Sequence, residues 1–196
     1  MTRAFVALCL DEATRAAVGA EIERLRPLSQ AVAWVPAQNL HLTLKFLGEE
    51  PDPRLAEAAE ALAEAAGGMG VFALTLHGLG AFPGVERPRI LWVGAAEGAL
   101  AARELQARVE TALERRGFAR DARPWHPHLT IGRVFDDRRW RREAGPALRE
   151  AIAAAARRGF GSLPVRRLVL MRSDLSPRGA RYSELRAFDL VSDPGH

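Results

Sequence analysis

Apolar residues recur along this chain at two different spacings. Alternation of apolar and polar positions, typical of a half-buried strand, runs through 39–47 and again through 128–134. Apolar positions three or four residues apart, which indicate amphipathic helices, recur over 11–25, 53–66 and 97–116. Further strands are predicted at 5–10, 33–35, 71–79, 90–93, 165–171 and 182–190, and a helix interrupted near Gly145 and Pro146 is predicted over 138–158. The mixture predicts an α+β fold.

The order of these elements repeats. Each half of the chain runs strand, helix, loop, alternating strand, helix and strand, and no Gly/Ser-rich or Pro-rich linker separates the halves. We therefore expect one bilobal domain over 1–196, produced by an ancient duplication, with the two halves folded as lobes about a pseudo-two-fold axis. Antiparallel-rich sheets are expected to line a central cleft, with helices on the outside.

Each alternating strand contains a His-x-Thr-x motif, at His41-Leu42-Thr43-Leu44 and His128-Leu129-Thr130-Ile131. Side chains two residues apart in a strand lie on the same face. Each strand therefore presents an imidazole and a hydroxyl together, and turns its aliphatic residues towards a core. If the lobes are related by a two-fold axis, the two pairs face each other across the cleft. One such motif is a weak signal, whereas two in corresponding strands are a strong one.

Two facing imidazoles suit acid–base chemistry. Histidine has an ordinary pKa of about 6.5, so one ring can accept a proton from an attacking oxygen while the other donates a proton to a leaving oxygen. Neighbouring threonine hydroxyls can donate to the non-bridging oxygens of a phosphate, where negative charge must be stabilised as phosphorus becomes five-coordinate. This chemistry requires neither a metal nor a cofactor, and we expect none.

The motifs lie within a wider set of recognisable segments. In chain order these are Trp34–Gly48, Gly78–Pro83, Pro88–Gly94, Pro127–Val134 and Ser173–Tyr182. Together they resemble the RNA 2′,3′-cyclic phosphodiesterases of bacteria and archaea, also called 2′-5′ RNA ligases, within the 2H phosphoesterase superfamily. The resemblance extends from Phe5 to Leu190, nearly the whole chain. One mild departure is Gly132, where the family often has alanine, and we expect it to be of no consequence.

The resemblance implies an enzyme that opens a 2′,3′-cyclic phosphate to a 2′-phosphate, and that can also join RNA through a 2′-5′ linkage. It implies His41 and His128 as catalytic residues, with Thr43 and Thr130 holding the phosphate. Because hydrolysis to a 2′-phosphate makes O3′ the leaving atom, we assign His41 as the proton donor to O3′ and His128 as the proton acceptor from water. The sequence itself does not order the two histidines.

Three further residues are candidate substrate contacts. Strict alternation places Phe46 and Arg133, each five residues after a motif histidine, on the face opposite the histidines. A twist or bulge near the strand end would bring Phe46 back to the cleft, where it could stack on a base. The resemblance likewise implies Arg133 as a phosphate or base contact. Lys45, four residues after His41, is predicted on the motif side, where it could contact phosphate.

Charge is unevenly distributed along the chain. Residues 1–98 have a net charge of −4 and residues 99–196 a net charge of +8, so the C-terminal half suits a polyanionic partner. We expect that partner to be RNA with a 2′,3′-cyclic phosphate end, such as a tRNA half. No apolar run approaches the roughly 18 residues of a membrane span, and Cys9 is the single cysteine. We expect a cytoplasmic, monomeric protein with no membrane partner.

Two alternatives remain open at this point. The first is a non-catalytic module that binds RNA ends, although all four motif residues are present. The second is a phosphoesterase of the same superfamily that acts on 2′-5′ oligonucleotides or on small cyclic nucleotides.

Overall fold

A computed structural model of the protein describes residues 1–177 and 179–192, so Arg178 of the Ser173–Tyr182 segment lies outside the described residues. Within these ranges the chain forms nine strands and five α-helices. In chain order they are β1 Thr2–Cys9, α1 Glu12–Leu25, β2 Val32–Trp34, β3 His41–Glu50, α2 Asp52–Gly67, β4 Phe72–Phe82, β5 Ile90–Ala95, α3 Ala99–Glu114, β6 His128–Val134, α4 Asp137–Glu143, α5 Pro146–Ala154, β7 Gly159–Val165, β8 Arg167–Ser176 and β9 Gly179–Asp189.

The strands form two sheets. The first sheet has the order β3-β1-β8-β9 and the second has the order β2-β6-β5-β4-β7. Neighbouring strands pair antiparallel throughout both sheets. The predicted α+β fold with antiparallel sheets is therefore confirmed, and each His-x-Thr-x motif begins a strand of a different sheet.

Two helices, α1 and α3, cross from one sheet to the other. Helix α1 follows β1 of the first sheet, yet its apolar side packs into the core of the second sheet, through Val18, Ile22 and Leu25. Helix α3 follows β5 of the second sheet and packs into the core of the first, through Leu105, Val109 and Leu113. The expectation that each half of the sequence folds as its own lobe is therefore wrong, because both halves contribute to both lobes. The exchange is reciprocal, as a pseudo-two-fold relation requires.

Two local features explain where elements begin and end. Asp11 caps α1, since its Oδ1 accepts a hydrogen bond from the backbone N–H of Thr14 at 2.9 Å. Pro146 begins α5 immediately after Gly145, so the predicted helix over 138–158 is interrupted where the sequence indicated. Strand β7 was not predicted, because two glycines and Pro164 lie within it and only edge positions tolerate proline. It forms the edge of the second sheet beside β4.

None of the helices in the part of the chain that the structure describes has the length and apolar character to cross a membrane.

Candidate active site

The two motif histidines are held in the same way. The Nδ1 atom of His41 lies 2.8 Å from the backbone oxygen of Asn39, and the Nδ1 atom of His128 lies 2.8 Å from the backbone oxygen of His126. A carbonyl oxygen can only accept a hydrogen bond, so Nδ1 carries the proton in both rings. The Nε2 atom of each imidazole is therefore left to accept or donate a proton elsewhere.

The motif threonines lie on the same faces as the histidines. In the first sheet Cys9 is opposite His41 and Ala7 is opposite Thr43. In the second sheet Gly94 is opposite His128 and Trp92 is opposite Thr130. We call the face that carries the histidine and threonine of each sheet its motif face. Small residues opposite three of the four motif side chains leave space above each sheet.

Each motif strand contains one extra residue directly after its threonine. In the first sheet Ala7 pairs with Thr43 and Val6 pairs with Lys45, so Leu44 has no partner on β1. In the second sheet Trp92 pairs with Thr130 and Leu91 with Gly132, which leaves Ile131 without a partner on β5. These are β-bulges at the fourth position of both motifs, and a bulge shifts the alternation of every residue that follows it.

The bulges return Phe46 and Arg133 to the motif faces. Phe46 is paired with Phe5 and is 60% exposed. The ring of Phe5 bridges the site, with its centroid 4.7 Å from that of His41 and 6.0 Å from that of Phe46. Arg133 is likewise exposed at the corresponding position of β6. The structure thus places both residues where strict alternation did not.

The same bulge removes Lys45 from the motif face, so the predicted placement of Lys45 is wrong. Its side chain is 3% exposed, and Nζ donates to both carboxylate oxygens of Glu110 at 3.0 Å and to the backbone oxygen of Ala119 at 2.8 Å. Glu110 also accepts a hydrogen bond from Gln106 at 3.2 Å. Lys45 is part of a satisfied buried polar network on the core side of β3 and does not line the cleft.

The segment that leads into β6 is fastened to β3. The indole N–H of Trp125 donates to the backbone oxygen of Thr43 at 3.0 Å, and Lys45 holds the carbonyl of Ala119. The strands β3 and β6 also contact each other directly. The two motif strands belong to different sheets, but they contact each other, and side-chain hydrogen bonds also tie the segment before β6 to β3.

Burial and charge act on both imidazoles. Burial lowers the pKa of His41 below its ordinary value of 6.5, the hydrogen bond to Asn39 opposes this shift, and the positive charge of Arg133 adds to it. Burial also lowers the pKa of His128, with opposition from its hydrogen bond and additions from the charges of His126 and Arg133. The strands β3 and β6 contact each other, and the charge of Arg133 lowers the pKa of both imidazoles.

Aromatic rings that the sequence pattern did not identify surround both histidines. Tyr182 packs edge-on against His41, with centroids 5.1 Å apart, and Phe82 packs edge-on against His128 at the same distance. Trp92 lies beside Phe82 at 5.2 Å. Gly80 makes room for the indole, because a Cβ at that position would lie 2.2 Å from the Trp92 ring. Tyr182 falls within the recognisable segment Ser173–Tyr182, which was the available signal for it.

The arrangement can move protons on two sides of one bound group. Each Nε2 is free to act as base when neutral and as acid when protonated. The threonine hydroxyls beside them and the guanidinium of Arg133 are suited to bind an anion. Among the described residues, no three histidine, cysteine, aspartate or glutamate side chains are grouped closely enough to hold a metal ion.

Comparisons with known proteins agree with this architecture. A family model described as the 2′-5′ RNA ligase superfamily matches residues 14–177. An Archaeoglobus fulgidus protein named RNA 2′,3′-cyclic phosphodiesterase is 34% identical over 187 residues, covering 95% of this chain and 99% of that relative. A protein of the same name from Thermus thermophilus is 33% identical over 200 residues, covering 98% of this chain and 92% of the relative.

Solved structures show the same fold. The crystal structure of a Thermus thermophilus protein superposes with a TM-score of 0.73 at 34% identity, covering 96% of this chain and 97% of the other. E. coli LigT complexed with 3′-AMP superposes with a TM-score of 0.72 at 26% identity, covering 97% and 98% of the two chains. Fold and site together define a two-lobed protein with paired His-x-Thr-x strands. The chain belongs to the 2′-5′ RNA ligase superfamily.

The buried ion pair gives a prediction about stability. Replacing Lys45 with Met leaves the Glu110 carboxylate buried without its cation, which should lower the free energy of unfolding by about 3–5 kcal/mol. The double variant Lys45→Met, Glu110→Met should recover most of that loss, because apolar side chains of similar size can replace a buried pair. Urea unfolding followed by circular dichroism measures both.

The matched control is Arg26→Met, which breaks an ion pair with Glu23 whose side chains are 47% and 66% exposed. An exposed pair contributes at most about 1 kcal/mol. If Lys45→Met lowers stability no more than Arg26→Met, the network on the core side of β3 does not have the role described.

The shared guanidinium gives a prediction about the histidine pKa values. Because the charge of Arg133 disfavours both imidazolium forms, Arg133→Gln should raise the pKa of His41 and of His128 together. NMR titration of the ring resonances measures both midpoints, which should lie below about 6.5 in the unaltered protein. Arg138→Gln, which removes an exposed arginine of the same lobe, should leave them unchanged. A midpoint that falls, or that moves for one histidine only, would contradict the shared site.

Proposed function

We propose that this protein is an RNA 2′,3′-cyclic phosphodiesterase that hydrolyses the cyclic phosphate at an RNA end to a 2′-phosphate. The observation that carries the proposal is the pair of imidazoles, each held through Nδ1 and each beside a threonine, on two strands that contact each other. The names of the relatives support the same reaction. The positive C-terminal half supports an RNA end, such as that of a tRNA half, as the physiological substrate.

In the proposed reaction water attacks phosphorus as His128 Nε2 takes its proton. The bond from phosphorus to O3′ breaks, and O3′ receives a proton from His41 Nε2–H. The bond to O2′ persists, so the product is a 2′-phosphate with a free 3′-hydroxyl. Each histidine ends with the protonation state opposite to the one in which it began, and solvent exchange restores both.

Four other side chains are assigned to the bound substrate. The hydroxyls of Thr43 and Thr130 donate to the non-bridging phosphate oxygens, and the guanidinium of Arg133 offsets their charge. The exposed ring of Phe46 is placed to stack on the base of the nucleotide that carries the cyclic phosphate. This assignment replaces the expected phosphate contact from Lys45, whose ammonium is buried against Glu110.

The same geometry admits ligation. If the 5′-hydroxyl of a second RNA takes the place of the water, the same base and the same acid produce a 2′-5′ phosphodiester with a free 3′-hydroxyl. No step requires a metal, and we expect the enzyme to act as a cytoplasmic monomer.

The test is turnover of an oligonucleotide ending in a 2′,3′-cyclic phosphate, in the presence of EDTA, with the product identified by ³¹P NMR. His41→Ala and His128→Ala should each lower kcat by about 10²–10⁴-fold, because each removes one proton transfer. Circular dichroism checks that both variants remain folded. His126→Ala, which removes an exposed imidazole and leaves the backbone oxygen in place, should retain turnover.

Four results would contradict parts of the proposal. Full activity in either motif variant would exclude the two-histidine mechanism, and activity lost in EDTA and restored by a metal would exclude metal independence. Binding of RNA ends without product after long incubation would favour the non-catalytic module. Much faster turnover of a cyclic mononucleotide than of an oligonucleotide would favour a small-molecule phosphoesterase.

A further inference from the structure

Phe135 continues β6 on the motif face of the second sheet. The backbone N–H of Val134 donates to the carbonyl of Arg89 at 3.0 Å on one side, and that of Phe135 donates to the carbonyl of Ala31 at 3.1 Å on the other, which is the pattern of an extended strand. Val134 packs towards the core of the second sheet. Its neighbours Arg133 and Phe135 therefore face away from that core, with Phe135 about 6.6 Å further along the strand than Arg133.

The ring of Phe135 is exposed and yet held in place. It is 56% exposed, and the guanidinium carbon of Arg139 lies 4.6 Å from its centroid. Arg139 is itself fixed by a hydrogen bond of 2.8 Å from its Nε to Glu143. Proteins that bind single-stranded nucleic acids combine exposed aromatic rings with arginines. The bases stack on the rings, and the phosphates bind the cations.

Phe135 and Phe46 lie at opposite ends of the cleft. Lys45 of β3 donates to the carbonyl of Ala119, and Trp125, which lies closer to β6, donates to the carbonyl of Thr43, which lies closer to the start of β3. The chain that enters β6 therefore runs past β3 in the opposite direction to β3. Phe46 lies beyond the motif of β3 at one end of the cleft, and Phe135 lies beyond the motif of β6 at the other.

The covalent geometry of ribose sends the terminal base of a bound substrate towards one end of the cleft and the rest of the RNA towards the other. The cyclic phosphate spans the C2′–C3′ edge of the sugar, the base is attached at C1′ next to C2′, and the chain continues from C4′ next to C3′. With the phosphate between the motifs and the terminal base towards Phe46, the 5′ continuation of the RNA leaves towards the opposite end. A 2′,3′-cyclic phosphate closes the 3′ end, so this continuation is the only further RNA.

We propose that Phe135, held by Arg139, is a second base-binding subsite that stacks the nucleotide preceding the one with the cyclic phosphate. Arg133, between this ring and the motifs, then lies beside the phosphodiester that links the two nucleotides. The subsite makes the enzyme prefer RNA ends over free cyclic nucleotides. The inference rests on the proposed phosphodiesterase function and specifies the length of substrate that the cleft recognises.

The experiment compares a nucleoside 2′,3′-cyclic phosphate with a dinucleotide ending in the same group. Phe135→Ala should raise KM for the dinucleotide about tenfold, within the range for loss of one base stack, and should leave kcat and KM for the mononucleotide unchanged. Phe135→Trp should restore the dinucleotide KM, and Phe135→Leu should not. Leu100→Ala, which alters a 78% exposed apolar residue of α3, should leave kcat and KM unchanged for both substrates.

The outcomes separate the two proposals. If the unaltered enzyme turns over neither substrate, the phosphodiesterase proposal fails, and the subsite fails with it. If the unaltered enzyme turns over both and Phe135→Ala leaves the ratio of the two KM values unchanged, the subsite alone is wrong. An equal rise in KM for both substrates would also overturn the subsite, because it would place Phe135 against the terminal nucleotide.

Discussion

The site depends on the bulge that directly follows the threonine in each motif strand. A regular strand starting at His41 would present Lys45 beside Thr43 and bury Phe46, and a regular strand starting at His128 would present Gly132 and turn Arg133 away. The bulges at Leu44 and Ile131 reverse both outcomes. Each motif face thereby gains a large side chain directly beyond its threonine, an apolar ring in one sheet and a guanidinium in the other. Paired bulges at equivalent positions fit the reciprocal exchange of α1 and α3 as products of a duplication.

The residue that follows the bulge differs between the two motif strands. After Leu44 comes Lys45, which points to the core side of β3, where its ammonium binds the carboxylate of Glu110 on α3 and the carbonyl of Ala119. After Ile131 comes Gly132, where a Cβ would lie 2.5 Å from Val32 of the neighbouring strand β2. We expected this glycine to be of no consequence, but it allows β2 to pack closely against β6. The lysine also anchors the segment leading into β6, so the core side of one motif helps to position the other.

Periodicity predicted the motif strands, the four helical regions and the fold class, because each rests on local alternation or helical spacing. The matches over residues 14–177 confirmed the family resemblance. A twist or bulge was considered for Phe46, but the position of each bulge could not be predicted, because an extra residue is defined by the partner strand and does not show in the strand's own pattern. For that reason Lys45 was assigned to the wrong face, and Arg133 was identified only by resemblance. The crossing of α1 to the second sheet and the glycine-containing edge strand β7 are likewise consequences of tertiary packing.

In the proposed mechanism both motifs bind one phosphate through the Nε2 atoms of His41 and His128. The decisive measurement is a crystal structure with a nucleoside 2′-monophosphate, the product of the proposed reaction. The phosphate should lie within about 2.6–3.2 Å of both Nε2 atoms and within hydrogen-bonding distance of the hydroxyls of Thr43 and Thr130. A phosphate that contacts only one motif, or a ring turned to present Nδ1, would contradict the account.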